Sequence, residues 1–334
     1  MSITTYGDIS PRVGIISQAQ FLRHAEPIIV LSKFAQTRQV PGNKGQLIKF
    51  RRSVPFAPAL VPLTEGVRPA SQKIKFEDVT TTLKQYGAWS EITDVIADTH
   101  EDPVLQEGTQ LSGEQAAETA EILLWGVLQG GTAVVYANGV TRSEVNKKVT
   151  LPKMRTAVRK LMKNRAKKKT SMLSSSAKYG TVSIEAAYIA VCHTDLEPDL
   201  RDLPGFKSVA DYGSRKPLCP EEFGTVENVR YITTPLLAPI EDAGGTAATN
   251  STLSTSGTKS DVYSIVIFGQ DAYGVCPLKG KTSHHLLVRN PGKPEKGDEL
   301  GQTGSIAWKM WWAALRLNEA WMYRLEVAAS DLAE

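Results

Sequence analysis

The chain has 334 residues, 41% of them hydrophobic and 22% charged, which is a globular composition and excludes wholesale disorder. No apolar run approaches the roughly 18 residues of a membrane-spanning helix, and the N-terminus lacks the basic start and apolar stretch of a secretory signal. The net charge is +4, but eleven Lys or Arg and no acid lie between Lys147 and Lys169, so the remainder has 28 basic against 35 acidic residues.

The first 40 residues form no obvious compact unit, although 18–34 shows some helical periodicity. Strand alternation follows at 46–52 and again from Ile74 through Trp89 to Ile92. The segment between these strands is rich in proline and cannot lie in a central sheet. We therefore predict an extended hairpin over 46–92, whose arms would reach about 33 Å if each holds ten residues. An ordinary internal hairpin with a long loop remains the alternative.

The best-marked helix is predicted over 102–129. Asp102-Pro103 supplies an N-cap followed by proline, and Gly130-Gly131 ends the helix. An apolar stripe at helical spacing comprises Ala116, Ala120, Leu123, Leu124, Val127 and Leu128. Gly108 and Gly113 weaken the first half by about 1 kcal/mol each.

A second helix is predicted over 151–168, with Met154, Val158, Leu161 and Met162 buried. A buried strand follows over 187–192, and Thr194 to Glu197 matches a capping box that opens a short helix to about Leu203. The segment 244–260, rich in Gly, Ser, Thr and Ala, predicts a mobile surface loop. Strand patterns resume at 262–268 and 286–288.

The C-terminal segment is ambiguous around Trp308 to Trp312, which suit either a helix face or a strand, whereas 321–327 alternates as a strand. Four of the six tryptophans lie in 308–321. We interpret them as core, because aromatic clusters bury large areas, and keep a stacking platform for nucleic acid as the alternative.

Signatures of catalysis are scarce, and we assign no catalytic residue, cofactor site or metal site. The chain has no P-loop, dinucleotide-binding, zinc-protease or nucleophile-elbow motif. His284 and His285 are adjacent on a predicted strand, so they point to opposite faces and cannot chelate together. His193 with Asp195 could form a catalytic dyad, although capping also explains the acid. The three cysteines are too far apart for a zinc motif or a disulfide framework.

The basic stripe, Lys147 to Lys169, is the one constellation that implies a partner. A dense cationic face attracts polyphosphate through counterion release without reading base sequence. A solvated helix face with a flexible lysine tail explains the stripe equally well.

Several segments together resemble one protein family, the major capsid proteins of tailed bacteriophages, specifically the coliphage N-four-like group. They are TTYGDISPR, GQLIKFRR, PLTEGVRP, QYGAWSEITDVIADTHEDPVL, GEQAAETAEILLWGVLQGGT, YIAVCHTDLEPDLRDLPGF and GSIAWKMWWAALRLNEAWMYRLEVA. The resemblance covers nearly the whole chain. One departure is Thr194, where relatives often carry proline, and it puts the start of the short helix in doubt.

The resemblance implies an α+β chain of the Hong Kong 97 capsid type. Its parts would be an N-terminal arm over 1–45, an E-loop hairpin over 46–92 and a peripheral domain over 93–186 with a spine helix at 102–129. An axial domain over 187–300 and a C-terminal return to the peripheral domain over 301–334 would follow. This return would be made of strands, which resolves the ambiguity near Trp308.

The implied function is self-assembly, as hexamers and pentamers, into the icosahedral head of a tailed phage around its double-stranded DNA. Scaffold, portal and decoration proteins are the other implied partners, and no membrane is. Since the chain starts directly at the arm, we expect any scaffold to be a separate protein. The expected location is the virion, with the host cytoplasm during assembly.

Two sets of site residues follow from this interpretation. Residues of the hairpin tip are expected to contact a neighbouring subunit, namely Pro55, Pro58, Pro62, Glu65 and Arg68. Four lysines of the basic stripe are expected to face packaged DNA on the inner surface, namely Lys163, Lys167, Lys168 and Lys169. The alternatives are an encapsulin-like nanocompartment shell of the same fold and, from another class, a soluble hydrolase using His193 and Asp195.

Overall fold

The computed structural model describes residues 28–43, 45–99, 104–173, 181–213, 216–247, 252–280, 284–292 and 297–332. These residues form a mixed α+β fold with four α-helices, several 3₁₀ turns and sixteen strands. The helices are α1 (Asp94–Thr99), α2 (Val104–Gln129), α3 (Leu151–Lys163) and α4 (Glu197–Arg201). The strands are β1 (Gln36–Thr37), β2 (Leu47–Ser53), β3 (Phe76–Thr82), β4 (Lys84–Thr93), β5 (Val134–Tyr136), β6 (Lys169–Leu173), β7 (Thr181–Cys192), β8 (Phe206–Ser208), β9 (Glu222–Val226), β10 (Val229–Thr233), β11 (Tyr263–Phe268), β12 (Tyr273–Val275), β13 (His284–Arg289), β14 (Thr303–Trp312), β15 (Ala314–Arg316) and β16 (Met322–Val327).

The largest sheet has the strand order β5-β16-β11-β7-β10-β9-β8, with β6 also paired to β7. Side chains of a strand alternate between the two faces of its sheet, and here both faces are covered. Ile189 and Val191 pack in the cluster that contains α2, whereas Tyr188 and Ala190 pack with α3. The buried strand predicted over 187–192 is therefore confirmed, and it is buried because a helix lies on each face.

Helix α2 is the long helix predicted from the sequence. Its C-terminal end at Gln129 is the predicted one, and the predicted N-cap at Asp102 lies outside the described residues. Leu124 and Leu128 are buried in the predicted stripe, and the indole Nε1 of Trp308 on β14 donates a hydrogen bond to the Gln115 side chain at 2.8 Å. Gly108 permits close packing here, because a Cβ at this position would lie 2.5 Å from Cδ1 of Ile306.

The chain enters the core through a 3₁₀ turn at Leu31–Phe34, which is fixed to α2 by Glu121. The Glu121 carboxylate, 1% exposed, accepts hydrogen bonds from the backbone N–H groups of Leu31 at 2.8 Å and Ser32 at 3.4 Å. These N–H groups begin the turn and have no partner within it, so the carboxylate serves as their cap. Most of the helical periodicity predicted over 18–34 lies outside the described residues.

Helix α3 is shorter than predicted, since it ends at Lys163 rather than Lys168. Arg165 adopts φ of +54°, which is incompatible with a continuing right-handed helix, and the chain then enters β6 at Lys169. Met154 and Leu161 are buried as predicted. Met162 is 45% exposed, so its predicted burial is wrong; it lies beside the i, i+3, i+7 stripe that faces the sheet.

The capping box predicted at Thr194 is also wrong. His193 is the N-cap of a 3₁₀ turn at Thr194–Leu196, and its Nδ1 accepts a hydrogen bond from the Asp195 N–H at 3.2 Å. Helix α4 then begins at Glu197, with Pro198 in its first turn. The cap is therefore an imidazole nitrogen and not the threonine hydroxyl that the pattern predicted.

The loop predicted to be mobile over 244–260 is pinned at both described ends. Its residues 248–251 lie outside the described part of the chain. The Thr252 and Ser260 hydroxyls are buried and 2.7 Å apart, and the buried Asp261 carboxylate accepts hydrogen bonds from the N–H groups of Asp242 and Thr255, each at 2.9 Å. Polar residues therefore form a hydrogen-bonded turn here, as short hydroxyl and carboxyl side chains commonly do.

The C-terminal segment is made of strands, as the family resemblance implied. Strand β14 pairs with β4 and β13, and β16 pairs with β11 and β5. Trp308 and Trp312 are 4% and 7% exposed, so these indoles belong to the core and not to a stacking platform. Among the helices that the structure describes, none is long and apolar enough to cross a membrane.

Removing the Glu121 cap should destabilise the subunit. In Glu121→Ala, the buried N–H of Leu31 loses its acceptor, which costs about 1–3 kcal/mol in free energy of unfolding. We expect protease cleavage of the segment before residue 31 to accelerate in parallel. Glu121→Gln retains one acceptor oxygen and is the control; equal stability of the Ala variant, the Gln variant and the parent subunit would contradict this role.

Glu121 should also give the subunit a specific pH dependence. Burial raises the pKa of this carboxyl above its ordinary 4.5, against the opposing effect of the backbone hydrogen bonds from Leu31. The folded state then binds the proton more tightly than the unfolded state, so this contribution to stability falls as pH rises from 4.5 through the raised pKa. The free energy of unfolding of the parent, measured relative to Glu121→Gln, should decrease over that range. A flat difference would contradict the prediction.

Candidate assembly surface

The hairpin predicted over 46–92 is shorter than predicted: β2 and β3 pair antiparallel from Leu47–Thr82 to Ser53–Phe76, and the predicted second arm is wrong beyond Thr82. Ion pairs join residues opposite each other on its two arms. Arg51 donates to Asp78 through Nε at 2.8 Å and Nη2 at 3.1 Å, and Arg52 donates to Glu77. The hydrogen bond from Arg51 holds the pKa of Asp78 to about 2, so this carboxylate stays charged at all physiological pH values. Strand β4 leaves the hairpin and pairs with β14 instead.

The segment 54–75 beyond the arms makes up the hairpin tip, and every residue from 55 to 75 is exposed. All five residues predicted to contact a neighbour are exposed: Pro55, Pro58, Pro62, Glu65 and Arg68. The tip also exposes large apolar side chains, with Leu60 86% and Val61 82% exposed. An apolar surface of this kind on a soluble protein is typical of an interaction site.

Sequence reasoning missed these apolar residues as the main feature of the tip. It emphasised the prolines, whereas the side chains with most area to bury are Phe56, Leu60, Val61, Leu63 and Val67. The signal was present in the sequence, because apolar residues within a proline-rich stretch cannot enter a central sheet and have no place in the chain's own core.

The structure separates the four lysines of the basic stripe. Lys163 and Lys167 are exposed. Lys168 is half-buried, with its ammonium 5.7 Å from the centre of the Tyr188 ring. Lys169 is also half-buried and donates to the Phe34 carbonyl oxygen at 3.4 Å, and burial lowers its pKa. Only the first two are thus free to meet an external polyanion.

The distal half of the hairpin and the end of α3 enclose a groove of about 750 Å³. Five cationic side chains line this groove together with Glu77 and Asp271, namely Arg38, Arg51, Arg52, Arg165 and Lys167. No pattern in the sequence indicates that the hairpin arginines and the end of the stripe come together. They do so because the chain reverses at Asn164 and Arg165.

His193 and Asp195 lie close together, but in a structural arrangement. The Nδ1 of His193 is 3.1 Å from Oδ2 of Asp195, and the same oxygen accepts a hydrogen bond from the Tyr263 hydroxyl at 2.7 Å. The neighbouring Cys192 thiol is fully buried, and burial raises its pKa well above the ordinary value, so it is a poor nucleophile. The geometry is that of a helix cap beside a strand.

No three metal-ligating side chains cluster within the part of the chain that the structure describes. His284 and His285 face Met310 and Lys309 across the β13–β14 ladder, on opposite faces of the sheet. The three cysteines are free and buried, and burial raises the pKa of Cys219 to about 12 and that of Cys276 to about 11.

Solved structures with the same fold include phage capsids and an encapsulin complex. The capsid of Ralstonia phage GP4 matches with a TM-score of 0.66 and 14% identity, over 92% of this chain and 90% of that one. The head of Helicobacter pylori bacteriophage KHP40 matches with a TM-score of 0.61 and 10% identity, over 99% and 95%. The SrpI encapsulin of Synechococcus elongatus PCC 7942 matches with a TM-score of 0.51 and 12% identity, over 98% and 91%.

A search of curated proteins found no match to this sequence. The family model described as "Phage capsid protein" matches residues 77–325, about three quarters of the 334 residues. The match includes the long helix, the largest sheet and most of the C-terminal strands, and the encapsulin likeness extends to the fold alone. The chain therefore belongs to the phage capsid protein family and, with its Hong Kong 97-type fold, is a major capsid protein.

Proposed function

We propose that this major capsid protein builds the head of a phage of the N-four-like group, and that its hairpin tip forms the contact between neighbouring subunits. The observation that carries the proposal is the tip 54–75, whose large apolar side chains are exposed in the single subunit. Hexamers and pentamers of identical subunits would cover these side chains. A scaffold, a portal and decoration proteins are the other proposed partners, and assembly would take place in the host cytoplasm.

We further propose that the solvent-exposed face of α3 lines the inside of the shell, where it would face packaged double-stranded DNA. Arg159 and Lys163 are exposed four residues apart on this helix, and no carboxylate of the described residues pairs with either. Lys167 is exposed too, but it lines the groove beside the hairpin. The protein would act by neutralising phosphate and not by catalysis.

The assembly proposal is tested on the purified protein. Expressed alone or with the phage scaffold, it should form particles far larger than the 36.4 kDa subunit, measured by light scattering and electron microscopy. Native particles should contain DNA, which would distinguish a phage head from an encapsulin-like compartment. A protein that stays monomeric under every condition, scaffold included, would contradict the proposal.

Changing the tip should prevent assembly without unfolding the subunit. The variant Leu60→Ser with Val61→Ser and Leu63→Ser removes three exposed apolar side chains. Burying these side chains between subunits would stabilise the assembly by about 25 cal/mol per Å², and the variant loses this stabilisation. We expect an unchanged melting temperature of the subunit and a large loss of shells. Replacing 57–68 with a short Gly/Ser linker should do the same.

The matched control is Val140→Ser, which removes an apolar side chain that is 79% exposed and lies outside the hairpin. It should assemble normally. If the tip variants form shells at the yield and stability of the control, the tip is not an assembly element.

The DNA contact is tested by Arg159→Gln with Lys163→Gln. These positions are exposed, so the fold should be retained, whereas changing Lys169 would break its hydrogen bond to Phe34. We expect a lower ratio of full to empty heads and a lower melting temperature of full heads at low salt, where electrostatic contacts are strongest. Lys207→Gln with Lys259→Gln changes two other exposed lysines by the same charge and is the control. Full heads that equal those of the control would mean that the stripe is only a solvated face.

A further inference from the structure

The groove between the hairpin and α3 holds more positive charge than its own carboxylates neutralise. Arg51 and Arg52 are paired across the hairpin with Asp78 and Glu77. Asp271 is the one further carboxylate of the wall, so five cations meet three carboxylates and leave an excess of two positive charges. The other three cations are exposed and form no ion pair within the described part of the chain, namely Arg38, Arg165 and Lys167. This excess predicts an anionic ligand.

The turn that carries the last two of these cations has a fixed backbone. The Trp321 indole Nε1 donates to the Asn164 carbonyl oxygen at 3.2 Å, and the Asn164 side chain donates to the Ala320 carbonyl oxygen at 2.9 Å. At the other end of the turn, the Gln270 N–H donates to the Lys167 carbonyl oxygen at 2.8 Å. A ligand that binds these cations does not have to order the turn, which removes part of the entropic cost of binding.

The groove is not lined by charge alone. Apolar side chains make up much of its remaining wall, namely Phe50, Val54, Val79, Leu317 and Trp321. Phe50 is buried and the other four are half-buried, so they still present apolar area to the groove. Ligand sites of about 300–1,000 Å³ commonly combine such walls with a few placed polar groups. The ligand is therefore expected to carry apolar groups as well as negative charge.

The size of the groove, about 750 Å³, favours an extended chain. An extended peptide takes about 4.8 by 10 Å in cross-section and about 3.3 Å per residue, so about five residues fill the groove. An α-helix, about 10–12 Å across, would fill it within about one and a half turns. Duplex DNA presents mainly phosphate and sugar, which offer charge to the cations but no apolar side chains to the walls.

We propose that this groove binds an extended segment of about five residues, with carboxylates and apolar side chains, from a partner protein other than this chain. The inference rests on the proposed shell function, in which scaffold and decoration proteins are such partners. The tip 54–75, an exposed segment of this chain, carries three Lys or Arg and one acid. A second copy's tip would therefore bring like charge to the groove, whereas an acidic segment brings opposite charge.

The test uses the full chain, below the concentration at which it assembles, and three labelled pentapeptides. The first alternates acidic and apolar residues, as Asp-Leu-Glu-Leu-Asp. The second replaces its leucines with serine, and the third replaces its acids with lysine. Fluorescence anisotropy at low salt should show saturable binding of the first peptide, and binding at least about tenfold weaker for the other two.

Substitutions in the groove locate the site. Arg165→Gln with Lys167→Gln should weaken the first peptide by about tenfold or more, because two exposed cations are lost, and should leave the melting temperature unchanged. Lys207→Gln with Lys259→Gln removes the same charge at two other exposed positions and should bind like the parent. Arg38→Gln changes a different wall and should also weaken binding, which keeps the test valid if the first variant does not fold.

A selection that assumes no ligand sequence checks the chemistry independently. Random heptapeptides are selected on the parent and depleted on the variant Arg165→Gln with Lys167→Gln. The recovered sequences should combine acidic and apolar residues. Recovery of sequences without acids, or no enrichment over the variant, would overturn the inference.

Three results with the defined probes would also overturn it. Binding of the first peptide that none of the groove substitutions weakens would place the site elsewhere. If a thymidylate pentanucleotide binds more tightly than the peptide and is weakened by the same substitutions, the groove is a nucleic-acid site. If shells of this chain alone no longer bind the peptide and Arg165→Gln with Lys167→Gln assembles poorly, a second copy fills the groove.

The two levels of proposal fail separately. Peptide binding is measured on the unassembled chain, so failure of the parent to form shells contradicts the proposed function and leaves the peptide result readable. A parent that forms normal shells but binds none of the acidic peptides contradicts only the inference about the groove.

Discussion

The packing of α2 across the sheets is the interaction on which the rest of the structure depends. Its buried side covers one face of the largest sheet through Leu124 and Leu128. It contacts β14 through Gln115 and Gly108, and Glu121 caps the 3₁₀ turn at Leu31–Phe34. A single rod of about 39 Å thus holds three parts of the chain that are distant in sequence. Because α2 makes contacts near both of its ends, these contacts together fix its position relative to the sheets.

The apolar side chains of this subunit fall into two sets, a buried core and an exposed hairpin tip, and the two sets come from different segments. The core takes the β-branched and aromatic strands β7, β10 and β11, buried on both faces. The tip takes apolar residues between prolines, which prevent it from folding back into a sheet. A shell subunit needs both properties, since it has to fold before it meets its neighbours and still offer them area to bury.

Two buried carboxylates fix the positions of chain segments in this protein. The Glu121 carboxylate caps the 3₁₀ turn at Leu31–Phe34. The fully buried Glu326 carboxylate accepts two hydrogen bonds from Arg142, at 2.9 and 2.8 Å. Burying a charge costs free energy that its partners only partly offset, so such groups are expected where a single geometry matters. Both examples fix chain segments that adjoin α2 or the edge of the largest sheet.

The sequence by itself determined the hairpin, the long helix, the buried strand at 187–192 and, through the family resemblance, the fold, because periodicity, proline positions and motif order are local properties. It failed where a single backbone angle or a distant partner decides the outcome. The end of α3 depends on the left-handed Arg165, and the cap at His193 depends on the strand that precedes it. Only the tertiary structure distinguished the half-buried Lys169, which contacts Phe34, from the exposed Lys163. It also brought Arg51 and Arg165 into one groove. Burial and proximity of this kind arise from contacts between segments that are far apart in the sequence.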